Sequence, residues 1–219
     1  RLILHRHRQP SRHLSRHLNL HLNPRQLLPS RLQEVKGKAA ADNNKEVTLL
    51  DLGSIETYIT QFPIYQYSFL KSEELTYSDK AKQLCRQNCS AYGQFWSCQP
   101  AVGKIEKCRE HCLLFSDVLV FSTVSDMKEH SGRAFKEEAA KEHEHLTDII
   151  AEHLLDEGYS IYTLTGGRCM KCAKCTFPRE LCRFPDEMHP CIESHGLVMS
   201  DIADICNICL LYTSPSPRD

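Results

Sequence analysis

The sequence predicts an α/β or α+β fold in which a small mixed sheet carries one long helix, about residues 126–157, and two cysteine-rich loops. Three observations point there. Short apolar runs of strand length recur along the chain, at Val47–Leu52, Ile64–Leu70, Val118–Val124 and Tyr159–Leu164. Between the last two, apolar residues repeat near the helical period without a proline. The cysteines gather in aperiodic stretches, Cys85–Cys112 and Cys169–Cys191, that suit loops.

The ends of the chain are set apart from this domain. Residues 1–35 hold seven Arg, five His and nine Leu but no acid before Glu34, and Pro10, Pro24 and Pro29 break any amphipathic helix. Residues 1–46 are therefore expected to be a disordered or non-native leader, and residues 47–208 the cysteine-rich domain. The last eleven residues, Cys209–Asp219, resemble the translation of a transposon-type sequencing adapter, so the domain is expected to be cut short at its C-terminal end.

Within the domain, Val47–Leu52 reads as a strand, and Ile64–Leu70 as a second with near-alternating polarity. Ser78 is a candidate N-cap for a short helix ending near Cys85. The run Val118-Leu-Val-Phe121 suits a strand covered on both faces. From 126 to 157, Ala134, Phe135, Ala139, Leu146, Ile149, Ile150, Leu154 and Leu155 follow the helical period, with Gly158 placed as a C-cap. Tyr159–Leu164 alternates as a strand and feeds into Gly166-Gly167-Arg168-Cys169. Gly196–Met199 suggests a strand, with Ser200 as the N-cap of a last helix.

Charge and cysteine usage narrow the function. Residues 36–208 carry 19 Lys and Arg against 26 Asp and Glu, a formal charge of −7, which argues against nucleic acid as the partner. No run reaches the roughly 18 apolar residues of a membrane span. Eleven cysteines up to Ile208 are an odd number and sparser than the roughly 8–10% of a disulfide-stapled secreted domain. They read as metal ligands in a reducing cytoplasm.

Cys169-x2-Cys172-x2-Cys175, with Cys182 close behind, can wrap four thiolates around a compact cofactor. That triple run favours an iron–sulfur cluster of the 4Fe-4S kind over zinc, which usually takes two separated Cys-x2-Cys pairs. Arg168, Lys171 and Lys174 offset the thiolate charge. Cys85-x3-Cys89-x8-Cys98 fits a second metal site without naming the metal. Cys108 and Cys112, at i and i+4 of a short helix, share one face and are either further ligands or core.

His143 and His145, flanked by Glu142 and Glu144, read as a solvated helix face. His111, His189 and His195 are better placed as ligands but read first as structural, and Glu193 is a candidate for orienting a ligand or carrying a proton. No nucleophile–base order or phosphate-binding glycine loop accompanies them, so catalysis is left open.

The segments Leu84–Pro100 (LCRQNCSAYGQFWSCQP), Gly166–Pro185 (GGRCMKCAKCTFPRELCRFP) and His189–Leu197 (HPCIESHGL) together resemble the prokaryotic cysteine-rich domain of unknown function described as predicted metal-binding protein. The resemblance spans approximately Val47–Ile208 and carries over Cys85, Cys89, Cys98, Cys169, Cys172, Cys175 and Cys182. The family usually has Cys-Pro-Pro where this chain has Cys98-Gln99-Pro100, and serine where it has Cys191, which implies that Cys191 is not an obligatory ligand. The resemblance implies a metal site in an anaerobe-leaning prokaryotic cytoplasm and no particular reaction. The reading that follows is a protein holding one or two iron–sulfur clusters, for electron transfer with a protein redox partner or as a redox-sensitive element. The alternatives are a structural zinc module for protein interaction, or a cluster- or zinc-dependent enzyme.

Overall fold

The computed structural model describes residues 2–6, 51–125 and 133–209. In chain order the elements are β1 (Leu2–Arg6), α1 (Leu52–Ile59), β2 (Gln66–Lys71), a 3-10 turn at Ser72–Glu74, α2 (Asp79–Asn88), α3 (Ile105–Cys112), β3 (Asp117–Ser122), α4 (Arg133–Asp156), β4 (Ser160–Leu164), a 3-10 turn at Glu193–His195, and α5 (Met199–Cys206).

The four strands lie in the order β2-β3-β1-β4, and each neighbouring pair is antiparallel. The α/β class stands, but the expected mixed sheet does not. Helix α4 does carry the chain from β3 to β4 in the same direction, yet β1 sits between those two strands and runs against both, as Leu2 pairs with Val120 on one side and Leu164 on the other. Among the described residues, a parallel contact occurs only as an isolated bridge between Thr165 and Cys191.

Leu2–Arg6, which the composition of the first 35 residues assigned to a leader, is instead this inner strand. Ile3 is almost fully covered, so the pentapeptide brings its own core residue. The rest of that segment, residues 7–46, lies outside the described residues, as do Cys209's successors in the tail.

Strand β3 explains the layering. Its side chains alternate across the sheet, and both faces are covered. Val118 and Val120 join Leu70 and Leu164 in a core closed by Phe115, Ile192, Leu197 and the α5 residues Ile202 and Ala203. Leu119 and Phe121 face the other way with Ile3, against Ile55 and Ile59 of α1 and Leu146, Ile150 and Leu154 of α4. Helices therefore flank the sheet, and the cysteine loops lie at the end where β4 runs out.

Several boundaries differ from expectation for local reasons. The strand expected at Val47–Leu52 is not present where it can be described: Asp51 accepts from the Ser54 N–H and caps α1, which begins at Leu52. Ser78 caps α2 as expected, its side chain accepting from Lys80 N–H, but the helix continues to Asn88. Gly158 takes a positive φ of 86° after α4, and Tyr159 N–H returns to the Leu154 carbonyl, closing the helix end. Gly196–Met199 is not a strand. Gly196 ends a 3-10 turn with a φ of 83°, Leu197 makes a single bridge to Tyr77, and Val198 rather than Ser200 is the N-cap of α5.

Candidate metal centre

The segment carrying Cys169, Cys172, Cys175 and Cys182 is a closed excursion from the sheet. Thr165 N–H donates to the Pro190 carbonyl at 2.8 Å and Ile192 N–H to the Thr165 carbonyl at 2.9 Å, so the loop leaves and returns at one point. Gly167 sits there with a φ of 134°, a conformation that favours glycine. Two walls then hold the loop. One is α4: Arg168 reaches Glu137 at 3.4 Å, Lys171 bonds Asp148 at 2.5 Å, and His189 bonds the other Asp148 oxygen at 2.7 Å.

The second wall is the segment before Cys98. Phe95 lies under the Arg168 guanidinium at 5.0 Å, and Trp96 packs edge-on to Phe177 while its indole N–H donates to the Glu180 carbonyl at 3.1 Å. Fully buried Ser97 bonds in two directions. Its Oγ accepts from the Cys169 N–H at 3.0 Å, and its carbonyl accepts from the Cys191 N–H at 2.8 Å and the Ser194 hydroxyl at 3.3 Å. Gln99, at the position where the resembled family has proline, donates to the Ser194 and Gly103 carbonyls. The two cysteine loops thus form one packed unit.

The four loop cysteines are half-buried free thiols. Burial pushes Cys169 up to about 11, and the nearby Glu144, Cys182 and Cys172 add to the shift. Burial also raises Cys182, with Cys175 and Cys172 adding to it. Such mutual influence marks one electrostatic neighbourhood. A bound cation would reverse it, because metal coordination favours the thiolate.

Upstream, Cys85 lies in the last turns of α2, exposed Cys89 follows it, and buried Cys98 comes from the Ser97 segment. They gather with two residues that were given lesser roles. Cys191 packs on Cys98, and the Cys191 thiol donates to Glu193 Oε2 at 2.8 Å. The adjoining Cys191 side chain draws the Cys98 thiol below its ordinary range. Burial pushes Cys85 up to about 11, with Cys89, Glu193 and Cys98 contributing in turn.

Cys108 and Cys112 are not brought to this group. Both are buried on α3: Cys108 donates to the Val102 carbonyl at 3.6 Å, and Cys112 belongs to the main core. Burial raises them to about 11 and about 12. Their surroundings are Tyr77, His111, Phe115 and Tyr162, with the His111 ring 4.4 Å from that of Tyr162. His195 closes the same cluster, its Nε2 bonded to the Tyr162 hydroxyl at 2.8 Å.

Among the described residues, no group of three or more His, Cys, Asp or Glu side chains is drawn together closely enough to hold a metal ion as it stands. The donor chemistry nevertheless fits a thiophilic metal. Twelve free cysteines form no disulfide, and four of them share one loop beside basic side chains. Sequence reading missed three residues of this region. Ser97 carries no motif, Asp148 is one of many helix acids, and Glu144, read as solvated, is buried with its Oε1 lacking a hydrogen-bond partner. Only the position of Glu144, seven residues after Glu137 and four before Asp148, signals that it shares their face.

No described helix is long and apolar enough to cross a membrane. No curated protein and no solved structure matches the chain. A family model does match, that of the predicted metal-binding protein DUF2284, over residues 68–217, which takes in both cysteine loops and runs on into the segment read as adapter. With most of its length matched, the chain belongs to the family of predicted metal-binding proteins (DUF2284).

Proposed function

We propose that this metal-binding chain holds an iron–sulfur cluster of the four-iron kind on Cys169, Cys172, Cys175 and Cys182, in an electron-transfer or redox-linked role. The observation that carries the reading is the closed loop itself. Four reduced cysteines lie on one short excursion pinned at Thr165 and Ile192 and braced on two sides. A second metal on Cys85, Cys89 and Cys98 is the extension of this reading, whereas the core setting of Cys108 and Cys112 favours a packing role for them.

The protein's own contribution is positioning. Ser97 fixes the backbone of Cys169, and Asp148 holds Lys171 and His189 at either side of the loop. Arg168, beside Glu137, and Lys171, beside Asp148, place positive charge next to the thiols, which lowers the cost of gathering several thiolates. The remaining closure of the donors accompanies metal binding, as is usual where a site is not preformed. When bound, such a cluster supplies a one-electron redox centre.

The test is anaerobic purification followed by metal and sulfide analysis and a visible spectrum. Iron and sulfide in matched amounts, with a colour that dithionite bleaches, support the reading. Colourless protein with stoichiometric zinc supports the structural zinc alternative. Protein that takes up neither after reconstitution overturns both.

A further inference from the structure

The cations of the downstream cysteine loop fall into two sets. Toward its base, Arg168 and Lys171 pair with Glu137 and Asp148 of α4. Toward its tip, Lys174, Arg179 and Arg183 are exposed and form no ion pair among the described residues, and the Arg183 guanidinium donates instead to the Lys174 carbonyl at 3.3 Å. Between Cys172 and Pro185 these three cations face one acid, Glu180, whereas residues 36–208 as a whole carry a formal charge of −7. Past Pro185 the chain turns back to the base, where Glu187 comes within 3.8 Å of Lys171. The tip is a positive island on an acidic domain.

Two large apolar side chains stand on the same island. Leu181, 63% exposed, is the most exposed large apolar side chain among the described residues, and Phe184 is 39% exposed. They lie on either side of Cys182. Scattered exposed apolar residues need no explanation, but these are displayed by a fixed turn. The Leu181 carbonyl accepts from Thr176 Oγ1 at 2.8 Å, the Glu180 carbonyl accepts from the Trp96 indole at 3.1 Å, and the Arg179 and Glu180 N–H groups donate to the Thr176 carbonyl. The backbone is held while the side chains stay in solvent. A preorganised apolar centre rimmed by unpaired charge of one sign is the anatomy of a protein-docking face.

Its position names the partner. Electron exchange between proteins requires a short gap, so a carrier has to dock over the residues that hold the cluster. This face includes the chain neighbours of Cys175 and Cys182, and its positive rim selects a negatively charged protein. We propose that the loop tip, Leu181 and Phe184 rimmed by Lys174, Arg179 and Arg183, docks an acidic electron-carrier protein. The inference rests on the cluster reading of this loop and adds the partner's chemistry and its landing site. One electron crosses the face, the partner's reduced carrier being oxidised by one electron and the cluster reduced by one, with no bond made or broken.

The test measures binding of a flavodoxin, a small acidic flavin carrier, to the anaerobically prepared full chain at low ionic strength, with iron and sulfide determined on the same samples. Leu181→Ser and Arg179→Glu alter exposed side chains and leave the backbone bonds of the turn in place, and a wild-type urea midpoint verifies each fold. Leu181→Ser is expected to weaken binding about fivefold or more, and Arg179→Glu about tenfold or more. Lys107→Glu, the same charge change on an exposed residue of α3, is expected to stay within about twofold of wild type. Added salt should weaken wild type more than Arg179→Glu. A wild-type chain that carries its cluster and binds no flavodoxin overturns the proposal and leaves the cluster reading standing. So does equal weakening by Arg179→Glu and Lys107→Glu, the mark of general charge attraction, or wild-type affinity in Leu181→Ser. Self-association of the chain that Arg179→Glu abolishes assigns the face to a second copy and also overturns it. A chain without iron and sulfide after reconstitution overturns the cluster reading, and the electron-carrier role of the face falls with it.

Discussion

Replacing Ser97 by alanine removes the hydroxyl that holds the Cys169 backbone against the upstream cysteine loop. In the structure its Oγ accepts from the Cys169 N–H at 3.0 Å within a side chain that is wholly buried, while its backbone carbonyl holds Cys191 and Ser194 and survives the substitution. The change therefore strips one bond and leaves the backbone frame. A part-buried N–H deprived of its acceptor costs about 1–2 kcal/mol. If the docked loop is the form that binds metal, that cost reads directly as a roughly 5- to 30-fold weaker affinity. Competition between the chain and a chromophoric chelator for zinc measures it, with urea unfolding as a check that the fold persists. Unchanged affinity in Ser97→Ala, with the fold intact, would refute the idea that Ser97 couples the loops.

Two further outcomes test the scaffold around the centre. His195 is enclosed with Nδ1–H donating to the Cys191 carbonyl and Nε2 accepting from Tyr162, and burial lowers it to about 4. Because the folded ring resists protonation, its contribution is complete above the ordinary histidine value of about 6.5 and is lost progressively as pH falls toward 4. Between pH 7 and 5 this amounts to about 2 kcal/mol of stability; urea midpoints should fall accordingly in wild type and less steeply in His195→Gln, and parallel slopes would count against it. Gly196→Ala should cost about 2–5 kcal/mol, since Gly196 has a φ of 83° and an added Cβ would meet Ile105 Cγ2 at 2.5 Å. Urea unfolding that shows a loss below about 1 kcal/mol would contradict that contact.

Much of this arrangement was legible from residue order alone, for reasons particular to each element. The V-L-V-F run of β3 announced a strand covered on both faces because it has no polar alternation, and both faces are indeed covered. The span of α4 was visible in its period, and the cysteine loops in their lack of one. Leu2–Arg6 was hidden by its surroundings, since five residues cannot outweigh the arginines, histidines and prolines that follow. Gly196–Met199 looked like a strand because Leu197 and Val198 are apolar, but Gly196 bends the chain and Leu197 is buried with a single bridge to Tyr77. The braces of the centre were the least legible. Ser97 and Asp148 act through contacts with residues far away in sequence, and nothing in their own neighbourhoods distinguishes them from surface serines and acids.

The same distance in sequence separates the two cysteine groups, which the spacing treats as independent. In the structure Phe95, Trp96 and Ser97 join them through a ring contact, an indole hydrogen bond and a hydroxyl. A perturbation of either loop should therefore reach the other, and metal loading of the downstream loop should order the segment that carries Cys98.

The most direct test of the metal assignment compares iron, sulfide and zinc per chain in anaerobically prepared wild type and Cys172→Ser, with the visible spectrum recorded on both. The account predicts iron and sulfide in the wild type, and loss of the corresponding colour when Cys172 is replaced. Equal metal content and an unchanged spectrum in Cys172→Ser would contradict it, because the loop from Cys169 to Cys182 would then not be where the metal is held.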